Sequence, residues 1–211
     1  MNTLRAKEIK QIFNALADLM SEKKEWLIEL DGIMGDGDLG LTMSTGFIKA
    51  SEGLKDFEEQ DVGKLFAKAG MIFAQSVPST MGTLMATGLM KGGKAIQGKQ
   101  EVYLSDMAQM LNEFVEGIMA RGKAKPGDKT IIDSLYPAVQ ALKSAAEEQK
   151  SLKEGLTLAY QAAVQGVEET KNMISKHGRA AYYQEKSLGK QDPGATVGML
   201  FIKAFTDYVA V

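Results

Sequence analysis

The chain has 211 residues, a net charge of −2, 45% hydrophobic and 25% charged residues, which suits one globular domain over 1–211 with a self-sufficient core. It contains no cysteine and one histidine, so disulfides and thiolate metal sites are excluded, and Ser/His or multi-histidine chemistry is not expected. The mixed charges give no support to nucleic-acid binding. The N-terminus "MNTLRAKEIKQIF" has no apolar leader core, and no apolar run approaches the roughly 18 residues of a membrane helix; the expected location is the cytosol, with no membrane contact.

In chain order, Ile9, Ile12, Phe13, Leu16, Leu19 and Met20 form a first apolar stripe at helical spacing. A glycine-rich acidic loop follows over 31–40. Three helices are predicted between 39 and 97, broken near Gly53 to Asp61 and at "SVPSTMG". "GLMKGGKA" (88–95) reads as a helix end with a glycine stop. Met107, Met110, Leu111, Phe114, Val115 and Ile118 mark the next helix, followed by a loop over 120–128. Ile131, Leu135, Val139 and Leu142 mark another. Ser151 with Glu154 reads as a capping box before Leu152, Leu156, Ala159, Ala163 and Val167, and Asp61 and Asp128 read as N-caps. Residues 176–194 form a long loop, the length of a functional lid, before Val197, Leu200, Phe201, Ala204, Phe205 and Tyr208. Strand signals are poor. The prediction is all-α, with about eight helices; the methionines are mostly core filler.

The acidic loop is the chemical feature. "ELDGIMGDGDLGLTM" (29–43) places Asp31, Asp36 and Asp38 within one glycine-rich turn. "GDGDLG" satisfies G-x-G-x-x-G literally, but the strand and βαβ unit that a dinucleotide fingerprint needs are missing, and two aspartates would repel a bare pyrophosphate. "GLMKGGKA" fits phosphate-loop spacing only up to Lys94, with Ala95 where a hydroxyl must hold Mg2+. An EF-hand fails at Ile33 and lacks its final glutamate. What remains is a magnesium site, against the plain alternative of a solvated Asp/Gly turn capping the next helix. Hard divalent cations take carboxylate oxygens and phosphates, and the third aspartate shifts the balance toward metal. Gly40 opens a helix whose free amides favour anions, and Thr42 in its first turn can donate a hydrogen bond.

"LDGIMGDGDLGLTM" resembles the Mg-binding loop of the dihydroxyacetone kinase L-subunit family, L-D-x-x-I-G-D-G/A-D-H-G-x-N-M. "RGKAKPGDKTIIDSLYPA" (121–138) resembles that family's R-G-K-A-x-x-G-D-K-T-M-x-D run. "KHGRAAYYQEKSLGKQDPGA" (176–195) resembles its K-G-R-A-S-Y-L-x-E-R-S-I-G-H-x-D-P-G-A lid. The three occur in family order over essentially the whole chain. The resemblance implies an up-and-down barrel of eight antiparallel helices with ADP or ATP at one end. Mg2+, two ions by this analogy, would be held by Asp31, Asp36 and Asp38. Nucleotide contacts would fall on Leu39, Gly40, Leu41, Thr42, Thr80, Met81, Gly122, Ile131, Arg179, Asp192, Pro193 and Gly194. Arg179 would fork onto phosphate or stack on a base, Ile131 and Met81 would line an adenine slot, with a core role as the plain alternative, and Pro193 and Gly194 would turn Asp192 to the rim, against the plain alternative of an N-cap box for the last helix. His177 reads as a surface histidine.

The resemblance further implies that no catalytic residue lies on this chain. The substrate histidine belongs to a K-type substrate-binding subunit, and an M-type phosphotransferase-system protein recharges the nucleotide. Leu39 and Thr42 stand where the family has histidine and asparagine, and "PSTMG" (78–82) replaces Gly-Gly-Ala-Ser-Gly. These departures gather at the phosphate end and imply a divergent paralogue. Two functions stay open: a kinase subunit serving dihydroxyacetone or a related small ketose, and a nucleotide-loaded regulator touching a transcription factor or kinase partner without chemistry. Self-association as a homodimer is likewise open.

Overall fold

The computed structural model describes residues 2–210. Nine α-helices account for most of them: α1 (Ala6–Glu22), α2 (Lys24–Gly32), α3 (Leu39–Lys55), α4 (Val62–Ser76), α5 (Thr80–Ala95), α6 (Leu104–Gly122), α7 (Ile132–Glu147), α8 (Leu152–Glu169) and α9 (Pro193–Ala210). Two short 3-10 stretches, Thr170–Asn172 and Arg179–Ser187, lie between α8 and α9. The only strands among the described residues are β1 (Leu4–Arg5) and β2 (Glu101–Val102), paired antiparallel with Leu4 opposite Val102.

Eight helices form a closed ring. α1 packs on α3, each of α3 to α8 packs on its successor, and α9 closes back onto α1. Short connections between such helices make neighbours antiparallel. The five stripes and the three helices predicted between 39 and 97 are these eight helices. The ninth, α2, interrupts the α1-to-α3 connection and buries only Leu27, so it has no stripe to announce it.

The ring is filled, not hollow. Phe201 stacks on Phe114 and contacts Phe205, both at 5.2 Å between centroids, and lies 6.2 Å from Phe47. Phe47 meets Phe73 edge-on at 5.1 Å. Such offset and edge-to-face pairs add to burial energy. Where α4 and α5 cross, a Cβ on Gly63 would sit 2.4 Å from the Gly93 carbonyl oxygen, and one on Gly93 would sit 2.5 Å from that of Gly63. Only glycine permits this backbone approach. Gly92 and Gly93 therefore lie inside α5, which continues to Ala95, and the expected glycine stop at 88–95 is corrected.

The capping expectations divide. Ser151 and Glu154 form the reciprocal box, and Asp61 caps α4 by accepting from the Lys64 amide at 3.2 Å. Asp128 does not cap α7, which starts four residues later. No helix among the described residues is long and apolar enough to cross a membrane.

Candidate metal centre and cleft

An up-and-down ring starts alternate helices at the same end. Here α3, α5, α7 and α9 all begin around one cleft of about 350 Å³. Four helix starts aim the positive ends of four dipoles at one volume, which favours anions there. The fifth contribution has the opposite sign: α2 ends at the cleft and delivers Asp31, and the turn to α3 delivers Asp36 and Asp38.

The three carboxylates each place an oxygen within 4.8 Å of the others. The turn holds them together by tight backbone geometry. The Gly35 amide donates to the Asp31 carbonyl at 2.6 Å, and a Cβ on Gly35 would collide with the Asp31 carboxylate at 2.3 Å. Gly37 takes φ of 71°, the left-handed region. Asp38 occupies the N-cap position of α3, yet its carboxylate makes no capping bond. The plain reading of the loop as a helix-capping turn therefore fails for the residue best placed to do it.

Electrostatics point the same way. Desolvation, with the Asp36 charge behind it, raises Asp38 above the ordinary aspartate range, against the pull of Arg179. Asp31 is raised by desolvation and then by Asp36 and Asp38, with the Leu39 and Gly37 amides opposing. Arg179 reaches Asp36 at 2.8 Å. Carboxylates raised by burial and by a neighbour's charge, as Asp31 and Asp38 are, gain from a shared cation, and an all-oxygen set suits Mg2+.

The cleft joins most of the residues singled out in the sequence. Asp31, Asp36, Asp38, Leu39, Thr80, Met81, Ile131, Arg179, Asp192, Pro193 and Gly194 all line it. Gly40, Leu41, Thr42 and Gly122 do not. A Cβ on Gly40 would strike the Lys24 carbonyl at 2.1 Å, so Gly40 faces α2, while Leu41 points to solvent and Thr42 into the core. Gly122 packs behind Leu84, which itself forms part of the wall. Asp192 is buried and not turned to a rim. It is the N-cap of α9, its carboxylate accepting from the Ala195 amide at 2.7 Å, with Pro193 as the first helical residue. Burial pushes its carboxyl up to about 7, the Ala195 amide opposing. Ser79, before the Thr80 start of α5, accepts the Gly82 amide at 3.0 Å.

His177 is not a free surface residue: its Nε2 lies 3.2 Å from Asp128 Oδ2. Lys129, unremarked in the sequence, is buried at the cleft wall. Its nearest sequence signal is the "GDKT" run, which says nothing of burial. Asp128 is subject to desolvation that would raise it, but the Lys176 ammonium, the Lys125 amide and His177 outweigh this and hold its carboxyl at about 2. The folded value lies below the unfolded one, so Asp128 contributes stability at pH above about 4, lost as pH falls toward about 2. Asp128→Asn is expected to flatten the acid limb of the unfolding curve in that window. The effect is about 1 kcal/mol once solvent screening at exposed Lys176 is included, and unfolding midpoints measured from pH 5 downward check it.

Residues 33–207 match the family model for the DAK2 domain. The chain belongs to the DAK2 domain family. Its sequence is 36% identical over 196 residues to the ADP-binding subunit DhaL of the PEP-dependent dihydroxyacetone kinase of Escherichia coli (strain K12), covering 92% of this chain and 93% of that one. It is 30% identical to the ADP-binding subunit DhaL of PEP-dependent dihydroxyacetone kinase 2 of Listeria innocua, covering 87% and 86%. It is 34% identical to the L-erythrulose kinase of Pectobacterium atrosepticum, covering 86% of this chain and 31% of that longer one. Among solved structures, the dihydroxyacetone kinase of C. freundii aligns with TM-score 0.75 in its native form and 0.71 in complex with AMP-PNP and Mg2+, both at 25% identity over 94% of this chain. This chain spans about a third of that kinase, 34% and 33% in the two forms. The DAK2 domain is thus the all-α architecture that the periodic stripes describe; the motifs at 121–138 and 176–195 lie within the 33–207 match, and the one at 30–43 overlaps its start.

Proposed function

We propose that this DAK2-domain chain is the nucleotide-binding subunit of a kinase, holding ADP or ATP with Mg2+ and serving dihydroxyacetone or a related small ketose carried by a K-type partner. The observation that carries this reading is the juxtaposition at one cleft of three carboxylates within 4.8 Å with the starts of four helices. The carboxylates suit a cation and the helix starts suit phosphate. The relatives fit: two of near-equal length are named ADP-binding subunits, and the C. freundii kinase has been solved with AMP-PNP and Mg2+.

Asp31, Asp36 and Asp38 would hold the metal, two ions balancing three carboxylates and the phosphates. Bound Mg2+ would neutralise phosphate charge and link it to the aspartates. Arg179 supplies a planar cation for the transferring phosphoryl group, and the α5 start orients phosphate oxygens through its amides, those of the α9 first turn being taken by Asp192. Met81, Leu84 and Ile131 give the cleft an apolar wall suited to a base. The protein contributes position and charge, with no covalent intermediate on this chain. The phosphoryl acceptor approaches from the open side of the cleft, on the partner. Recharging by an M-type phosphodonor belongs to the same reading.

The test is phosphate transfer to dihydroxyacetone and to erythrulose, with a K-type partner and either ATP or an M-type phosphodonor. Transfer that requires both this chain and Mg2+ is expected. Nucleotide held firmly with no ketose phosphorylated overturns the kinase reading in favour of a regulator.

A further inference from the structure

Lys129 is buried at 2% exposure and takes φ of 61°. A non-glycine residue in the left-handed region carries backbone strain, and a buried ammonium carries a desolvation cost unless paired. Glycine would remove the first and an apolar side chain the second. The lysine uses its side chain instead: Nζ donates to the Met173 carbonyl at 3.2 Å and to the Ser187 carbonyl. Those carbonyls stand near the two ends of the strap between α8 and α9. Asp128 grips the same strap nearby. Its carboxylate accepts from Lys176 Nζ at 2.9 Å and lies 3.2 Å from His177, and its carbonyl accepts the Lys176 amide at 3.2 Å. Two adjacent residues thus hold the strap at Met173, Lys176, His177 and Ser187.

Between these anchors the strap carries Arg179, whose guanidinium meets Asp36 at 2.8 Å. Both hydrogen bonds of the Lys129 ammonium go to the strap, and Asp192 at the start of α9 supplies the opposite charge beside it. We propose that Asp128 and Lys129 form a clasp that positions Arg179 over the acidic trio. They are positioning residues for the phosphate end of the cleft, acting through Arg179. This rests on the nucleotide-binding reading above and adds to it the device that holds the arginine in place.

The experiment is a double-mutant cycle on the full chain, read as the rate of ADP release in Mg2+, for wild type, Lys129→Met, Arg179→Ala and the double variant. Lys129→Met and Arg179→Ala are each expected to speed release about tenfold, and the double variant no more than Arg179→Ala alone, because a residue acting through another is non-additive with it. Amide exchange over 173–190 should rise in Lys129→Met while that of α4 and α5 stays unchanged. If Lys129→Met fails to fold, Lys176→Ala removes only the exposed grip. It is expected to speed release about threefold, an effect absent in the Arg179→Ala background. A wild-type chain that holds no ADP overturns the nucleotide reading and the clasp's role with it. A wild-type chain that holds ADP, with clasp variants that leave release unchanged or multiply with Arg179→Ala, overturns the clasp alone.

Discussion

Asp36→Ala is expected to weaken ADP binding in the presence of Mg2+ by about 100-fold or more, because the number of charged oxygen ligands sets hard-cation affinity. The same change should leave the apo fold intact. Asp36 is a loop residue outside the core, and the one ion pair it loses is to Arg179, with side-chain exposures of 41% and 68%. A pair this exposed contributes roughly 0–1 kcal/mol. Against that loss stands a gain, since the Asp36 charge no longer opposes ionisation of Asp31 and Asp38, a smaller contribution than desolvation at both. The two are opposite in sign and the pair lost is exposed, so the prediction is a functional collapse with the fold retained. Calorimetric ADP titration beside thermal melting checks both halves. Unchanged ADP affinity, or a variant that unfolds, counts against the metal role.

Phe201→Ala carries the largest expected effect on stability. The ring is fully buried and touches Phe47, Phe114 and Phe205, residues from three different helices. Removing it takes the filling from the centre of a ring whose backbone cannot close the gap, a loss of about 3–5 kcal/mol for a buried Phe→Ala change. For a chain of this size each kcal/mol moves the midpoint by roughly 2–4 °C, so a drop of roughly 6–20 °C is expected. ADP with Mg2+ should recover part of it by mass action. Differential scanning calorimetry of the variant, with and without ligand, makes the comparison. A drop of under about 2 °C would show that Phe201 is not central to packing.

The eight barrel helices were legible because each buries one face, and burial of one face leaves a period in the sequence. α2 was not: Trp26 is partly exposed and only Leu27 is fully enclosed, so it carries no stripe. Gly92 and Gly93 were misread as a stop because glycine signals both a helix end and a close backbone crossing. Only the facing Gly63, far away in sequence, tells the two apart.

The aspartate trio was legible from like charges crowded among glycines. Leu41 and Thr42 enter the site through the family resemblance, and Thr42 also as a first-turn donor, but a helix turns about 100° per residue, so beside Leu39 they lie outside the cleft lining. The Lys129 clasp left no trace. Its burial comes from a strap more than forty residues away, Met173 and Ser187 being 44 and 58 positions on. At Asp192 two readings of Pro-Gly compete, a turn to the rim and an N-cap before a first-turn proline, and the second holds.

The central claim is that the carboxylate trio binds nucleotide through a divalent cation. Its most direct measurement is ADP affinity titrated against free Mg2+ from chelated to saturating. Affinity that climbs with Mg2+ and is lost by about 100-fold or more on chelation is the predicted result. Equal affinity with and without the cation would contradict it.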